Sequence, residues 1–195
     1  MQLMPLPQCQ LHCGRFTLDL SQPQIMGILN VTPDSFSDGG QHHHKEQAVQ
    51  RALQMIEEGA SIIDIGGEST RPNASPVELE EEIQRVIPVV EALAKYDVVI
   101  SIDTSQPELI RAAVKAGAHI WNDVRALTRP QALETAAELN IPVILMHMRG
   151  EPTNMNQLDQ YTNVTEDVMY ELQQRLDQAL EMGIKKYNII LDPGF

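Results

Sequence analysis

HIWNDVRALTRPQALETAAELNIPVILMHM, residues 119–148, reads as a strand, a helix and a second strand. HIWNDV at 119–124 and PVILMHM at 142–148 are short apolar runs of strand length, while roughly Pro130–Leu139 has the amphipathic spacing of a helix. Two strands joined through a crossover helix are parallel neighbours in one sheet.

Working outward, the same beat repeats. IMGILNV at 25–31, SIIDIGG at 61–67, VVISID at 98–103 and NIILDPG at 188–194 bring the strands to six. Helical patterns fall at roughly Glu46–Glu58, Val77–Lys95, Pro107–Ala116 and Thr165–Met182. Ser75 and Pro76 suit the N-cap and first position of the second helix, and its early turns are acidic, as the helix dipole favours. Gly59, Gly117 and Gly183 fall just past helices, where a left-handed cap is common.

Each strand ends in a polar residue on the same side: Asn30, Glu68, Asp103, Asn122 with Asp123, His147 and Asp192. Both a (β/α)8 barrel and an open α/β sheet place their chemistry at the carboxyl ends of strands. No GxGxxG or GxxxxGK[ST] follows any strand, so the barrel is favoured over a dinucleotide or P-loop fold. A barrel of that kind takes about 250 residues and eight strands. This chain has 195 residues, six strands and a last motif LDPGF, so a truncated or split barrel, incomplete at the C-terminus, is expected.

Composition narrows the partners. Fourteen Lys plus Arg stand against 27 Asp plus Glu, a formal net charge of -13 that repels nucleic acid and anionic membranes over most of the surface. A small phosphorylated substrate needs only one local site and stays admissible. The N-terminus lacks a basic and apolar leader, and no apolar run is long enough to span a bilayer, so a cytoplasmic location is expected. Cys9, His12 and Cys13 offer three ligands with no second cluster, too few for a closed tetrahedral metal site. His42, His43 and His44 are adjacent and do not converge on one ion, and Trp121 is expected to pack between sheet and helices.

GILNVTPDSFSDGG at 27–40, DIGGESTRP at 64–72, IDTS at 102–105, NDV at 122–124, MHM at 146–148 and LDPGF at 191–195 together resemble the bacterial dihydropteroate synthase family, in the family's order. The resemblance runs from about Phe16 to the last residue. It implies an α/β fold, a TIM barrel of the dihydropteroate synthase-like type, with residues 1–24 closing the barrel base and 25–195 forming the pterin-binding domain.

It also implies the reaction: the bond between a dihydropterin methylene and its pyrophosphate breaks, and the amine of p-aminobenzoate attacks, giving 7,8-dihydropteroate for folate biosynthesis. By resemblance Asp103, Asn122, Asp192, Val124 and Met146 contact the pterin, and Asn30 and Thr70 the pyrophosphate. Asn30 is also the ligand of Mg2+, the implied cofactor. Phe36 and Pro72 flank p-aminobenzoate, where sulfonamides compete, and Asp38 pairs with Arg71 at the catalytic centre beside Asn30. His147 is given a supporting role, and a homodimer is implied for full-length relatives.

The residue types suit this chemistry. A pterin edge carries an amino group and ring N–H groups that buried carboxylates accept, and a carboxamide can both donate and accept. A neutral amide oxygen suits a hard cation that keeps waters and phosphate oxygens. Against these stand plainer roles, with Asp103 and Asp192 capping helices and Asp38 and Arg71 forming a surface ion pair. Two other functions compete: a remnant or subunit that binds pterin without turnover, and a pterin-binding methyltransferase-type barrel. The second of these is not expected to carry TPDSFSDGG or GGESTRP.

Overall fold

A computed structural model describes residues 9–32, 41–68, 77–149 and 161–194, with backbone alone at 41–43. A two-stranded antiparallel hairpin, β1 (Gln10–Cys13) and β2 (Phe16–Asp19), opens the described chain. Six strands follow: β3 (Met26–Asn30), β4 (Ile62–Gly66), β5 (Val99–Asp103), β6 (Ile120–Asp123), β7 (Val143–Met146) and β8 (Ile189–Asp192). Between them lie α1 (Gln41–Glu57), α2 (Leu79–Leu93), α3 (Pro107–Ala116), α4 (Ala132–Leu139) and α5 (Val164–Glu181).

The six strands pair in chain order, every neighbour parallel. A doubly wound sheet reverses its order at a switch point, and this one does not, so the arrangement is a partial (β/α) barrel.

Alternation along each strand sorts the side chains. Leu29, Ile63, Ile65, Ile100, Ile102, Trp121, Val143 and Leu145 face outward into one buried cluster with the helices. Each such side chain contributes roughly 1.5–3 kcal/mol on burial. Trp121 is fully buried there and donates from Nε1 to Thr104 O at 2.7 Å, as its expected packing role requires. At the opposite, N-terminal end of the strands, Ile62, Val99, Ile120 and Ile144 pack with Leu11, Cys13 and Leu18 of the hairpin. Burial in this cluster pushes the Cys13 thiol up to about 11.

Strands β3 to β8 sit inside the six expected spans, while β1 and β2 lie outside them, and Gly59, Gly117 and Gly183 all have positive φ. Helix α3 starts where expected, α4 two residues after Pro130 and α5 one residue before Thr165, and the starts of α1 and α2 also differ. Helix α1 begins at Gln41, five residues before Glu46, because the polar His run is taken into its first turns. Helix α2 begins at Leu79 with Glu78 as its N-cap, while Ser75 and Pro76, the expected cap and first position, lie outside the described residues. Glu80 and Glu81 complement the dipole of that uncapped first turn.

His119 anchors the hairpin to the sheet. Its Nδ1 accepts from Ile100 N–H at 3.0 Å, and the Phe16 ring meets it edge-on at 5.1 Å. Burial, and then the nearby Arg15 guanidinium, lower its pKa below the usual 6.5. A depressed imidazole pKa makes the unfolded chain the better proton binder. The stability it contributes is complete above pH 6.5 and is lost as pH falls through the folded value. His119→Gln is therefore expected to lose less thermal stability than the native chain between pH 7.5 and pH 5. Equal losses would show that the imidazole is not the group responsible.

Candidate active site

The register places Asn30, Gly66, Asp103 and Asn122 on one level across β3, β4, β5 and β6, on the face turned away from the helices. Gly66 leaves a gap that two of these side chains flank: a Cβ there would lie 3.4 Å from Asp103 Oδ2 and 3.7 Å from Asn30 Oδ1. Met146 and Asp192 pair one interior step nearer the mouth, on β7 and β8. Asn30 is exposed at the rim, while Asp103, Asn122, Met146 and Asp192 are half-buried and Val124 is buried just beyond β6.

Beneath this ring, Asn122 Nδ2 donates to Asp64 Oδ2 at 2.9 Å. Asp64 is buried, and neither its Oδ1 nor Ser101 Oγ has a hydrogen-bond partner of ordinary geometry among the described residues. Burial pushes the Asp64 pKa up, against the opposing effect of the nearby Ser101 hydroxyl and the Asn122 amide. Asp103 is held well above the usual carboxylate range, first by burial and then by the negative charge of Asp64, Asp123, Glu82 and Glu68. A carboxyl in that position gains most from a ligand that brings N–H donors.

The plainer roles divide. Asp103 does not cap α3, whose N-cap is Gln106 without a side-chain bond. Asp192 does hold its own turn, since Oδ1 accepts from Gly194 N–H at 2.8 Å. Gly194 has φ +73°, and a Cβ there would come within 2.4 Å of His147 O, so no other residue fits that turn without moving the backbone just past β7. His147 supports from the side: its N–H donates to Asp192 O at 2.7 Å and its Nε2 lies 2.8 Å from Glu171 Oε2 on α5.

Phe36, Asp38, Thr70, Arg71 and Pro72 lie outside the described residues, as do the side chains of His42 and His43. Two features of the site are absent from the sequence reading. Asp64 interrupts an apolar strand at the same parity as Gly66, and alternation alone is enough to place it inward. Asp123, Ser105, Arg125 and Glu68 form a network over the ends of β4, β5 and β6, and no spacing in the sequence announces it.

A cleft of about 440 Å3 opens beside the ring, between the loop after β6 and α5, lined by Arg125, Thr128, Met146, His147 and Glu171 among others. Asn30, Asp103, Asn122 and Asp192 do not line it, so the polar convergence, and not the cleft, marks the site. Among the described residues no three His, Cys, Asp or Glu side chains gather as a metal cage. A cation here would be held by Asn30 Oδ1 together with oxygens of a substrate. No described helix is long and apolar enough to cross a membrane.

Residues 26–195 match the family described as Pterin binding enzyme. The dihydropteroate synthase of Escherichia coli strain K12 is 55% identical over 180 residues, which are 92% of this chain and 64% of that protein. The chain thus spans just under two thirds of that relative's length. A crystal structure of Yersinia pestis dihydropteroate synthase with a sulfonamide drug superimposes with a TM-score of 0.89 at 51% identity, over 95% of this chain and 68% of that one. Xanthomonas albilineans dihydropteroate synthase with 4-aminobenzoic acid gives 0.89 at 48%, over 96% and 67%.

Proposed function

Because this chain belongs to the pterin binding enzyme family, and within it to the dihydropteroate synthases, we propose that it carries the pterin half of the catalytic mouth of a cytoplasmic dihydropteroate synthase. Residues 25–195 form the pterin-binding barrel and 1–24 close its base. The substrates are 6-hydroxymethyl-7,8-dihydropterin pyrophosphate and p-aminobenzoate, the products 7,8-dihydropteroate and pyrophosphate. The observation that carries this reading is the convergence of Asn30 and Asp103 across the bare strand position Gly66, with Asn122 on the same level and Asp64 beneath.

In the reaction the methylene C–O bond breaks, the amine nitrogen of p-aminobenzoate forms the new C–N bond and loses a proton, and pyrophosphate departs with the electron pair. The chain's own groups bind and orient. Asp103 and Asp192 accept from the amino and ring N–H groups of the pterin, and Asn122, steered by Asp64, supplies a donor and an acceptor. Met146 and Val124 cover the ring faces. Those donors stabilise the ionised form that burial, and then like-charged neighbours, disfavour at Asp103, so binding and ionisation of this carboxyl are coupled.

A single neutral amide oxygen fits Mg2+, which keeps several waters and takes phosphate oxygens in place of a protein cage. Bound at Asn30, it would neutralise charge on the leaving pyrophosphate. Thr70 contacts the same group. Phe36 and Pro72 flank the p-aminobenzoate ring, and Asp38 paired with Arg71 stabilises the electron-poor methylene. Relatives solved with 4-aminobenzoic acid and with a sulfonamide drug support that second pocket.

The test is turnover by the protein that carries this chain. Pyrophosphate release is expected to need both substrates and to be suppressed competitively by a sulfonamide against p-aminobenzoate. Release that is indifferent to p-aminobenzoate would overturn the assignment.

A further inference from the structure

The network left over after the pterin ring is accounted for ties three catalytic-face loops together. Asp123, fully buried at the end of β6, accepts on both oxygens from its own loop: Arg125 N–H on Oδ1 at 2.9 Å and Leu127 N–H on Oδ2 at 2.8 Å. Those bonds hold a turn in which Ala126 and Leu127 have φ of 49° and 58°. Ser105, in the loop after β5, donates its hydroxyl to the same Oδ1. Arg125 then donates from Nη1 to Ser105 Oγ at 3.0 Å and reaches Glu68 Oε2, just past β4, at 3.4 Å.

This Arg–Glu pair is withdrawn from water, with 6% and 14% of the two side chains exposed. Burying such a pair costs desolvation that its attraction roughly repays, so net stability does not account for it. Its geometry does supply something else: the take-off of the loop after β4. Helix α2 grips the same point from the other side, where Arg85 Nη1 donates to Gly67 O at 3.2 Å. A Cβ on Gly67 would come within 2.7 Å of Glu82 Cγ, so that backbone is seated tightly on the helix. Ser69 to Pro72 follow Glu68 directly in the chain.

We infer that Arg125 is a positioning residue that fixes the direction in which the chain leaves β4 at Glu68, and so sets affinity for the pyrophosphate and p-aminobenzoate ends of the substrates and not for the pterin ring. The inference rests on the reading above, in which Thr70, Arg71 and Pro72 serve the pyrophosphate and the aromatic amine.

The test compares Arg125→Gln, Arg125→Lys, Glu68→Gln and the Arg125→Gln/Glu68→Gln double variant. KM for p-aminobenzoate is expected to rise about tenfold in either Gln variant, with Kd for 6-hydroxymethyl-7,8-dihydropterin, which lacks the pyrophosphate, within about twofold, and the double variant no worse than the singles, as coupled partners behave. Lys keeps the charge without the planar fork and is expected to recover part of the loss. Hydrogen exchange at the Gly67 and Glu68 amides is expected to quicken in both Gln variants. A matching rise in Kd for the pterin without pyrophosphate, additive losses, or unchanged exchange at Gly67 and Glu68 would overturn the role. A native protein without turnover would sink the functional reading, while the exchange measurement would still decide the coupling. Should Arg125→Gln fail to fold, Glu68→Gln alone carries the same comparison of KM for p-aminobenzoate, Kd for the pterin and amide exchange.

Discussion

Asp103→Asn lowers kcat/KM for the pterin pyrophosphate by roughly 10^2–10^3-fold, about 3–4 kcal/mol, while leaving the fold more stable at neutral and alkaline pH than before. The two halves of this expectation have one cause. Asp103 is a carboxyl kept well above its usual range by burial and by Asp64, Asp123, Glu82 and Glu68, so ionising it in the empty site costs folding free energy. An amide of the same shape removes that cost. For a group whose folded pKa is raised, the destabilisation grows as pH rises from the unfolded value through the folded one, so the stability gain should be absent at acid pH and present above neutrality.

Activity moves the other way because the variant can turn an N–H2 group toward the donor edge of the pterin, replacing an accepted hydrogen bond by a donor facing a donor. Steady-state kinetics and thermal melts on one preparation check both halves. A variant that lost activity and stability together would mean that Asp103 is a structural residue.

The barrel is legible in the sequence because its signal is repeated. Val99–Asp103 and Val143–Met146 are each an apolar run ended by a polar residue, and six such runs in register leave little else to build. Their carboxyl ends also carry Asn30, Asp103, Asn122 and Asp192, so the rim of the site can be read from strand ends alone.

The β1–β2 hairpin is not legible as strands. QLHC and FTLD are four residues each with mixed polarity, and their burial comes from packing under Ile62, Val99 and Ile120, a tertiary fact. Arg125 shows the same limit at the site. In the sequence it is one charged residue in a loop, and only the approach of Ser105 and Glu68 from two other loops makes it a buried linker. Helix α2 departs from its expected cap for a related reason: Ser and Pro at 75 and 76 suit a helix start locally, yet the first turn that packs against Gly67 begins at Leu79.

Glu82→Gln is the second large effect expected, and it concerns stability. Glu82 sits in the first turn of α2, 1% exposed, with Oε1 lacking a partner among the described residues. Burial pushes its pKa from 4.5 up to about 7, and Glu68 adds to the rise, while Thr104, Arg129 and Arg125 oppose it. Below pH 4.5 the carboxyl is protonated in both states and contributes no pH dependence. Between 4.5 and about 7 the folded state holds a proton that the unfolded chain has released, so stability falls as pH rises. Above about 7 the penalty is complete, on the order of 3 kcal/mol at 1.36 kcal/mol per pKa unit.

Gln keeps the volume beneath Gly67 and an oxygen for Thr104 while removing the charge. At pH 8 the variant is therefore expected to melt roughly 6–12 °C higher than the native chain, a span set by domain size. The difference should shrink steadily toward pH 4.5. Melts of the two proteins across this range decide the matter: a constant offset would mean that the change acts through packing, and an offset that grows on acidification would reverse the sign assigned to Glu82.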